Sequence, residues 1–283
     1  MELNNFSNDI IHQLTSDYGF LLNLVNLNNT VNFQNYLYRV RIAKKGDLIN
    51  EPQNLSYPKN NIKIGRCNFD NQAVFYCCDS STTAFAETLK YSKDLNFTDY
   101  YIYLSVWKLK PLNEITIFPL LNKAFSKGLV KNSNIINFKN YAINNSVKNQ
   151  LIEIEKYFYD IDYNKSASIS NFLFNRDYNP CDAIFYPSKI KKESGVNIAF
   201  RTEYVDENLE FQRGYKFEIV KESDTYKLDF LKFTLSKSNF IWETPNWEHF
   251  LIKKFTEIDL KIMINTKNLS LNMFLDEFSQ TIK

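Results

Sequence analysis

Arg39, Arg66, Tyr76, Glu87 and Ser188 are among the side chains of this 283-residue sequence whose types could do chemistry, and none of them is diagnostic by itself. A guanidinium grips a phosphate or carboxylate at two points, so Arg39 and Arg66 are candidate anion clamps. A carboxylate such as Glu87 stabilises positive charge developing beside it. Tyr76 offers an aromatic face and a hydroxyl. Ser188 lacks the Gly-x-Ser-x-Gly surroundings of a nucleophile and reads as a positioning hydroxyl. Taken singly, each also has a plainer reading: an ion-pairing arginine on a strand edge, a core tyrosine, a helix-surface carboxylate.

These residues need elements to position them. The run YLYRVRIA (36–43) alternates as a strand, with Arg39 and Arg41 on one face. A polar loop then leads to GRCNF (65–69), where the glycine suits a tight turn. AVFYCC (73–78) has the character of a buried strand, and DSSTTAFAETLKY supplies a helix N-cap and the helix after it. YYIYLSVWKL (100–109) and EITIF (114–118) read as further strands, and 141–159 and 166–175 as helices. DAIFYPS (182–188) is a strand that must stop at Pro187, and GVNIAF (195–200) is another. Beyond 204, KFEIV and YKLDFLKF form a hairpin, and Thr244-Pro245 opens a helix carrying Trp247, Phe250, Leu251 and Phe255. Residues 8–29 have helical periodicity.

Composition narrows the function classes. Thirty-four Lys and Arg against 32 Asp and Glu give a net charge of +2, with no field strong enough to point to nucleic acid or an anionic membrane. Hydrophobic residues make up 44% of the chain, enough for one sizeable core. Cys67, Cys77, Cys78 and Cys181 match neither a disulfide framework nor a metal knuckle, and His12 and His249 are far apart, so no metal is expected. No signal-peptide pattern and no membrane-length apolar run is present, which makes the cytoplasm the expected location. No Walker or Rossmann glycine signature occurs. Asn68 and Asn197, in an Asn-rich chain, read as turn or surface residues.

The segments LYRVRI, GRCNFDNQAVFYCCDSSTTAFAE and CDAIFYPSKIKKESGVNIAF resemble the motif blocks of the RES domain, a family named for an Arg, a Glu and a Ser. The resemblance spans residues 36–200 and is most specific in its middle block. It maps the family residues onto Arg39, Arg66, Tyr76, Glu87 and Ser188, with Arg39 chosen over Arg41.

The resemblance implies an α+β, ADP-ribosyltransferase-like split sheet with flanking helices, framing a cleft for NAD. On that basis 1–35 is a helical lead, 36–203 the catalytic domain, and 204–283 an extension packing on it. The implied activity is cleavage of the nicotinamide–ribose bond of NAD as substrate, by a glycohydrolase or phosphorylase. Such enzymes are toxins held by an Xre-type antitoxin. Protein ADP-ribosylation and a non-catalytic interaction module are the alternatives. In the implied roles, Glu87 stabilises the oxocarbenium-like charge, Arg39 and Arg66 clamp the pyrophosphate, Tyr76 stacks or donates, and Ser188 positions.

Overall fold

The structure is a computed structural model that describes residues 36–90, 92, 95–110, 115–120, 154–159, 162–175, 180–190, 195–222, 225–235 and 240–244. The helix read at 8–29 and the one read from Thr244-Pro245, beyond Thr244 itself, lie outside the described residues with His12 and His249, as does most of 141–159. Of the described part of that last segment, 154–159, residues 154–158 are helical.

In chain order the elements are β1 (Leu37–Lys44), β2 (Val74–Cys78), α1 (Ser81–Lys90), β3 (Tyr100–Leu109) and β4 (Ile117–Pro119). There follow α2 (Tyr163–Asn175), β5 (Ala183–Pro187), β6 (Val196–Arg201), α3 (Thr202–Asn208), β7 (Leu209–Glu222) and β8 (Thr225–Leu235). The fold is α+β. It divides into two compact units, the first holding the described residues of Tyr57–Asp79 and Leu109–Leu209. The second holds those of Tyr36–Ser56, Ser80–Lys108 and Glu210–Lys283.

In the first unit the strands run in the order β4-β5-β6-β2. β4 and β5 are parallel, while β6 is antiparallel to both β5 and β2. β5 has neighbours on both sides, and its residues Ala183, Ile184 and Phe185 are fully buried. That burial is why AIFYP is an unbroken apolar run rather than an alternating one. The strand ends at Pro187, which has no N–H to continue the ladder.

α2 begins three residues before the periodic pattern suggests. Asp162 caps it, its carboxylate accepting the Asn164 N–H at 3.0 Å. Three buried serines follow, and each hydroxyl donates back along the helix: Ser166 to the Tyr163 carbonyl, Ser168 to Asn164 and Ser170 to Ser166. Self-satisfied hydroxyls let a helix with modest apolar content sit in a core. α3 is an element the sequence reading does not include. It follows β6 without a breaker and buries Tyr204, whose ring stacks on Phe200 at 6.0 Å.

In the second unit the order is β1-β3-β7-β8. The β1–β3 register places Arg39 opposite Ser105 and Arg41 opposite Tyr103 on one face. Val40 lies opposite Leu104 and Ile42 opposite Ile102 on the other. The expected hairpin is present and longer than read, with Lys216 opposite Lys232 and a bulge at Lys216/Phe217. α1 is capped by Ser80, whose hydroxyl accepts the Thr83 N–H at 3.2 Å. Phe85 of α1 is fully buried and meets Phe217 edge-on at 5.6 Å.

Residues 240–244 belong to the same unit. Glu243 bridges to Phe233, and the Trp242 indole N–H donates to the Ile49 carbonyl at 2.7 Å while its ring lies 5.5 Å from Tyr103 and 5.4 Å from Phe240. Trp242 therefore pins three segments distant in sequence. Trp242→Ala is expected to lower stability by about 2–3 kcal/mol, from lost packing and an unmade hydrogen bond. Urea unfolding checks this, and a midpoint unchanged from wild type would show that the ring contributes nothing.

Candidate functional site

Within the first unit the Gly-Arg-x-Asn sequence closes a tight turn. The Gly65 N–H donates to the Asn68 carbonyl at 3.0 Å, and the Asn68 N–H returns to the Gly65 carbonyl at 3.5 Å. Tyr76 reaches from β2 into this turn. Its hydroxyl accepts the Cys67 N–H and donates to Asn68 Oδ1, both at 2.7 Å. The Asn68 amide donates in turn to the carbonyls of Lys63 (2.9 Å) and Phe69 (2.8 Å).

Asn68 is therefore a turn residue, as read, but it is buried rather than on the surface. A Cβ at position 65 would stand 2.6 Å from Asn68 Oδ1 and 3.0 Å from the Tyr76 hydroxyl, so a larger residue would have to displace the two side chains that hydrogen-bond there. Burial, with the Cys67 thiol adding to it, pushes the Tyr76 phenol well above its usual range. Burial also pushes the Cys67 thiol up to about 12. Both groups are neutral.

The turn projects Arg66. One guanidinium nitrogen donates to the Phe158 carbonyl, and the guanidinium carbon lies 5.0 Å from the Tyr163 ring, 5.5 Å from Tyr159 and 5.9 Å from Phe158. Each is within cation–π range. Ser188, directly after β5, is fully buried, and its N–H donates to the Gly195 carbonyl at 2.8 Å. Tyr159 connects the two places: its hydroxyl donates to the Pro187 carbonyl at 3.4 Å, and the Tyr159 carbonyl accepts Lys189 Nζ at 2.9 Å. Asn197 is a correction. It sits in β6, is buried, and its Oδ1 accepts from the Cys78 thiol at 3.2 Å, so it is neither a turn nor a surface residue.

Arg39, Arg41 and Glu87 lie in the second unit. The 3-10 turn Pro52–Leu55 ends with three successive carbonyls, at Asn54, Leu55 and Ser56. Arg41 Nη1 donates to the first, Ser105 Oγ lies 3.5 Å from the second, and Arg39 Nε donates to the third at 3.1 Å. Ser105 also lies 3.2 Å from the Arg39 carbonyl. One face of the β1–β3 pair thus receives the turn's unsatisfied carbonyls. Both arginines anchor the same loop. Glu87 is half-buried on α1, which packs against β1, and its neighbour Thr88 lies within 3.4 Å of the Val40 carbonyl through its hydroxyl.

All four cysteines are buried thiols, and among the described residues no group of three or more His, Cys, Asp or Glu side chains is placed to hold a metal ion. No helix among them is long and apolar enough to cross a membrane.

Two outcomes follow from the Tyr76 turn. Tyr76→Phe keeps the ring but leaves the Cys67 N–H and Asn68 Oδ1 without their partner, and is expected to cost about 1–3 kcal/mol in thermal or urea unfolding; a loss below about 0.3 kcal/mol would show that the hydroxyl is dispensable. Stability should also fall in alkali. Burial raises Cys67 to about 12 from 9.0, Tyr103 to about 12 from 10.0, and Tyr76 well above 10.0. Above pH 9 the unfolded chain releases protons that the folded chain retains, so stability is full below pH 9 and lost progressively as pH rises toward 12. Urea midpoints at rising pH check the sign, and a flat profile would contradict it.

A search of curated proteins finds no match. The RES domain family model matches residues 36–213, well over half of the chain, and takes in Arg39, the Gly65–Asn68 turn, Tyr76, Glu87 and Ser188. This chain belongs to the RES domain family.

Proposed function

We propose that this chain cleaves the bond between nicotinamide and ribose in NAD, by hydrolysis or phosphorolysis, on an ADP-ribosyltransferase-like fold. The observation that carries the reading is the family match over residues 36–213, which encloses every member of the Arg, Gly-Arg-x-Asn, Tyr, Glu and Ser series. The family is associated in general with NAD-related enzymatic activity and with toxin–antitoxin systems. The finer proposal is that the chain is a toxin, working in a bacterial cytoplasm and neutralised by an Xre-type antitoxin.

Departure of nicotinamide leaves an oxocarbenium-like centre at the anomeric carbon. Glu87 is assigned to stabilise that charge through space, so NAD is substrate and no metal is part of the proposal. Arg39 and Arg66 are assigned to the pyrophosphate, whose oxygens a guanidinium meets with charge-assisted hydrogen bonds. The Tyr76 hydroxyl is engaged by the turn, which supports a role through its ring and through the placing of Arg66. Ser188 is assigned to position ribose. Transfer of ADP-ribose to a protein would share the first step and differ only in acceptor.

Glu87→Gln removes the charge and keeps the shape. Its rate of NAD cleavage is expected to fall by about two to three powers of ten with unchanged melting. Induced in bacteria, wild type should lower cellular NAD before growth stops, and Glu87→Gln should be harmless. Growth arrest at constant NAD would replace depletion with protein ADP-ribosylation.

In NAD titrations, Arg39→Ala and Arg66→Ala are each expected to lose about 1.5–3 kcal/mol of binding. Arg41→Ala should lose less, and a larger loss there would transfer the clamp from Arg39 to Arg41.

A further inference from the structure

Tyr159 is not one of the residues the sequence motifs single out, yet it touches two of the motif segments. Its ring lies 5.5 Å from the Arg66 guanidinium and 4.8 Å from Lys189 Nζ. Its hydroxyl reaches the Pro187 carbonyl at 3.4 Å, and its own carbonyl receives Lys189 Nζ at 2.9 Å. Pro187 and Lys189 flank the buried Ser188. The ring is also wedged edge-on against Phe158 at 5.7 Å, and Phe158 is fully buried and gives its carbonyl to Arg66. Tyr159 is thus held by the core on one side and by the end of β5 on another, and presents a π face to a cation.

We propose that Tyr159 is a positioning residue that fixes the Arg66 guanidinium for a diphosphate ligand and ties that guanidinium to the Tyr-Pro-Ser strand end. A long arginine side chain loses rotamer freedom when it binds, and a ring that already restrains it removes part of that cost before the ligand arrives. Cation–π attraction suits this task because it restrains the guanidinium without consuming N–H donors, so that those beyond the one given to the Phe158 carbonyl can serve an anion. The ring, more than the hydroxyl, carries the effect, since 3.4 Å is long for an O–H···O bond. The inference takes its ligand class from the NAD reading but depends on the diphosphate alone.

The test measures binding of ADP, which has a diphosphate and no nicotinamide, by calorimetry on the full chain. Tyr159→Leu should weaken ADP binding about tenfold, while Tyr159→Phe should stay within about twofold of wild type. Arg66→Ala/Tyr159→Leu should bind no more weakly than Arg66→Ala, because Tyr159 acts through Arg66. If Tyr159→Leu does not fold, Tyr159→Met, which fills the space without a π face, takes its place.

Unchanged binding in the Leu or Met variant, losses that multiply in the double variant, or no ADP binding by wild type would each overturn the proposal. ADP binding with this coupling, in a protein that releases no nicotinamide from NAD, would leave the inference standing and the NAD reading wrong.

Discussion

The hydroxyl of Tyr76 is the pivot of the first unit. It accepts one hydrogen bond and donates another, and both partners, Cys67 and Asn68, are buried members of a single four-residue turn. A buried N–H or carbonyl oxygen without a partner costs about 1–3 kcal/mol, so the turn and the tyrosine specify each other. Glycine at 65 leaves the Asn68–Tyr76 hydrogen bond undisturbed, where a Cβ would push against both of its atoms, and asparagine at 68 answers the need for an acceptor and two donors at one point. Arg66 inherits its direction from this arrangement. The Gly-Arg-x-Asn motif is then a mounting for one guanidinium, and the rings of Phe158, Tyr159 and Tyr163 are what it is mounted against.

In the second unit the same economy of hydrogen bonds works in the other direction. A short turn that ends with unsatisfied carbonyls is accepted by a strand pair carrying Arg39, Arg41 and Ser105 on one face. The arginine-rich strand is therefore needed to hold residues 54–56 whatever else its guanidiniums do. Substitutions there carry a folding cost that must be measured beside any loss of ligand affinity.

Most strands were legible in the sequence because their burial leaves a direct imprint. YYIYLSVWKL is apolar or aromatic at nearly every position because β3 is buried on both faces from Ile102 to Trp107, and AIFYP is continuously apolar because β5 is flanked on both sides. The start of α2 was not legible from periodicity, since it depends on a cap, Asp162, rather than on an apolar residue. α3 was invisible for a related reason: seven residues with two adjacent buried side chains define no helical period. The residue types of the Gly-Arg-x-Asn turn and of Tyr76 were legible in the sequence, and the contacts that support them were not. Asn68 looked like any turn asparagine, and nothing at Tyr159 separated it from the other aromatics of an aromatic-rich chain. Their roles come from contacts between residues 8 and 93 positions apart in sequence, Asn68 with Tyr76 and Arg66 with Tyr159.

The decisive question is whether NAD loses its nicotinamide to this protein. The most direct measurement is chromatographic recovery of nicotinamide and of the ADP-ribosyl product from purified full chain incubated with NAD. The proposed chemistry predicts nicotinamide released in step with the NAD consumed, by wild type and not by Glu87→Gln. Complete recovery of intact NAD from wild-type protein, or equal release by both, would contradict it.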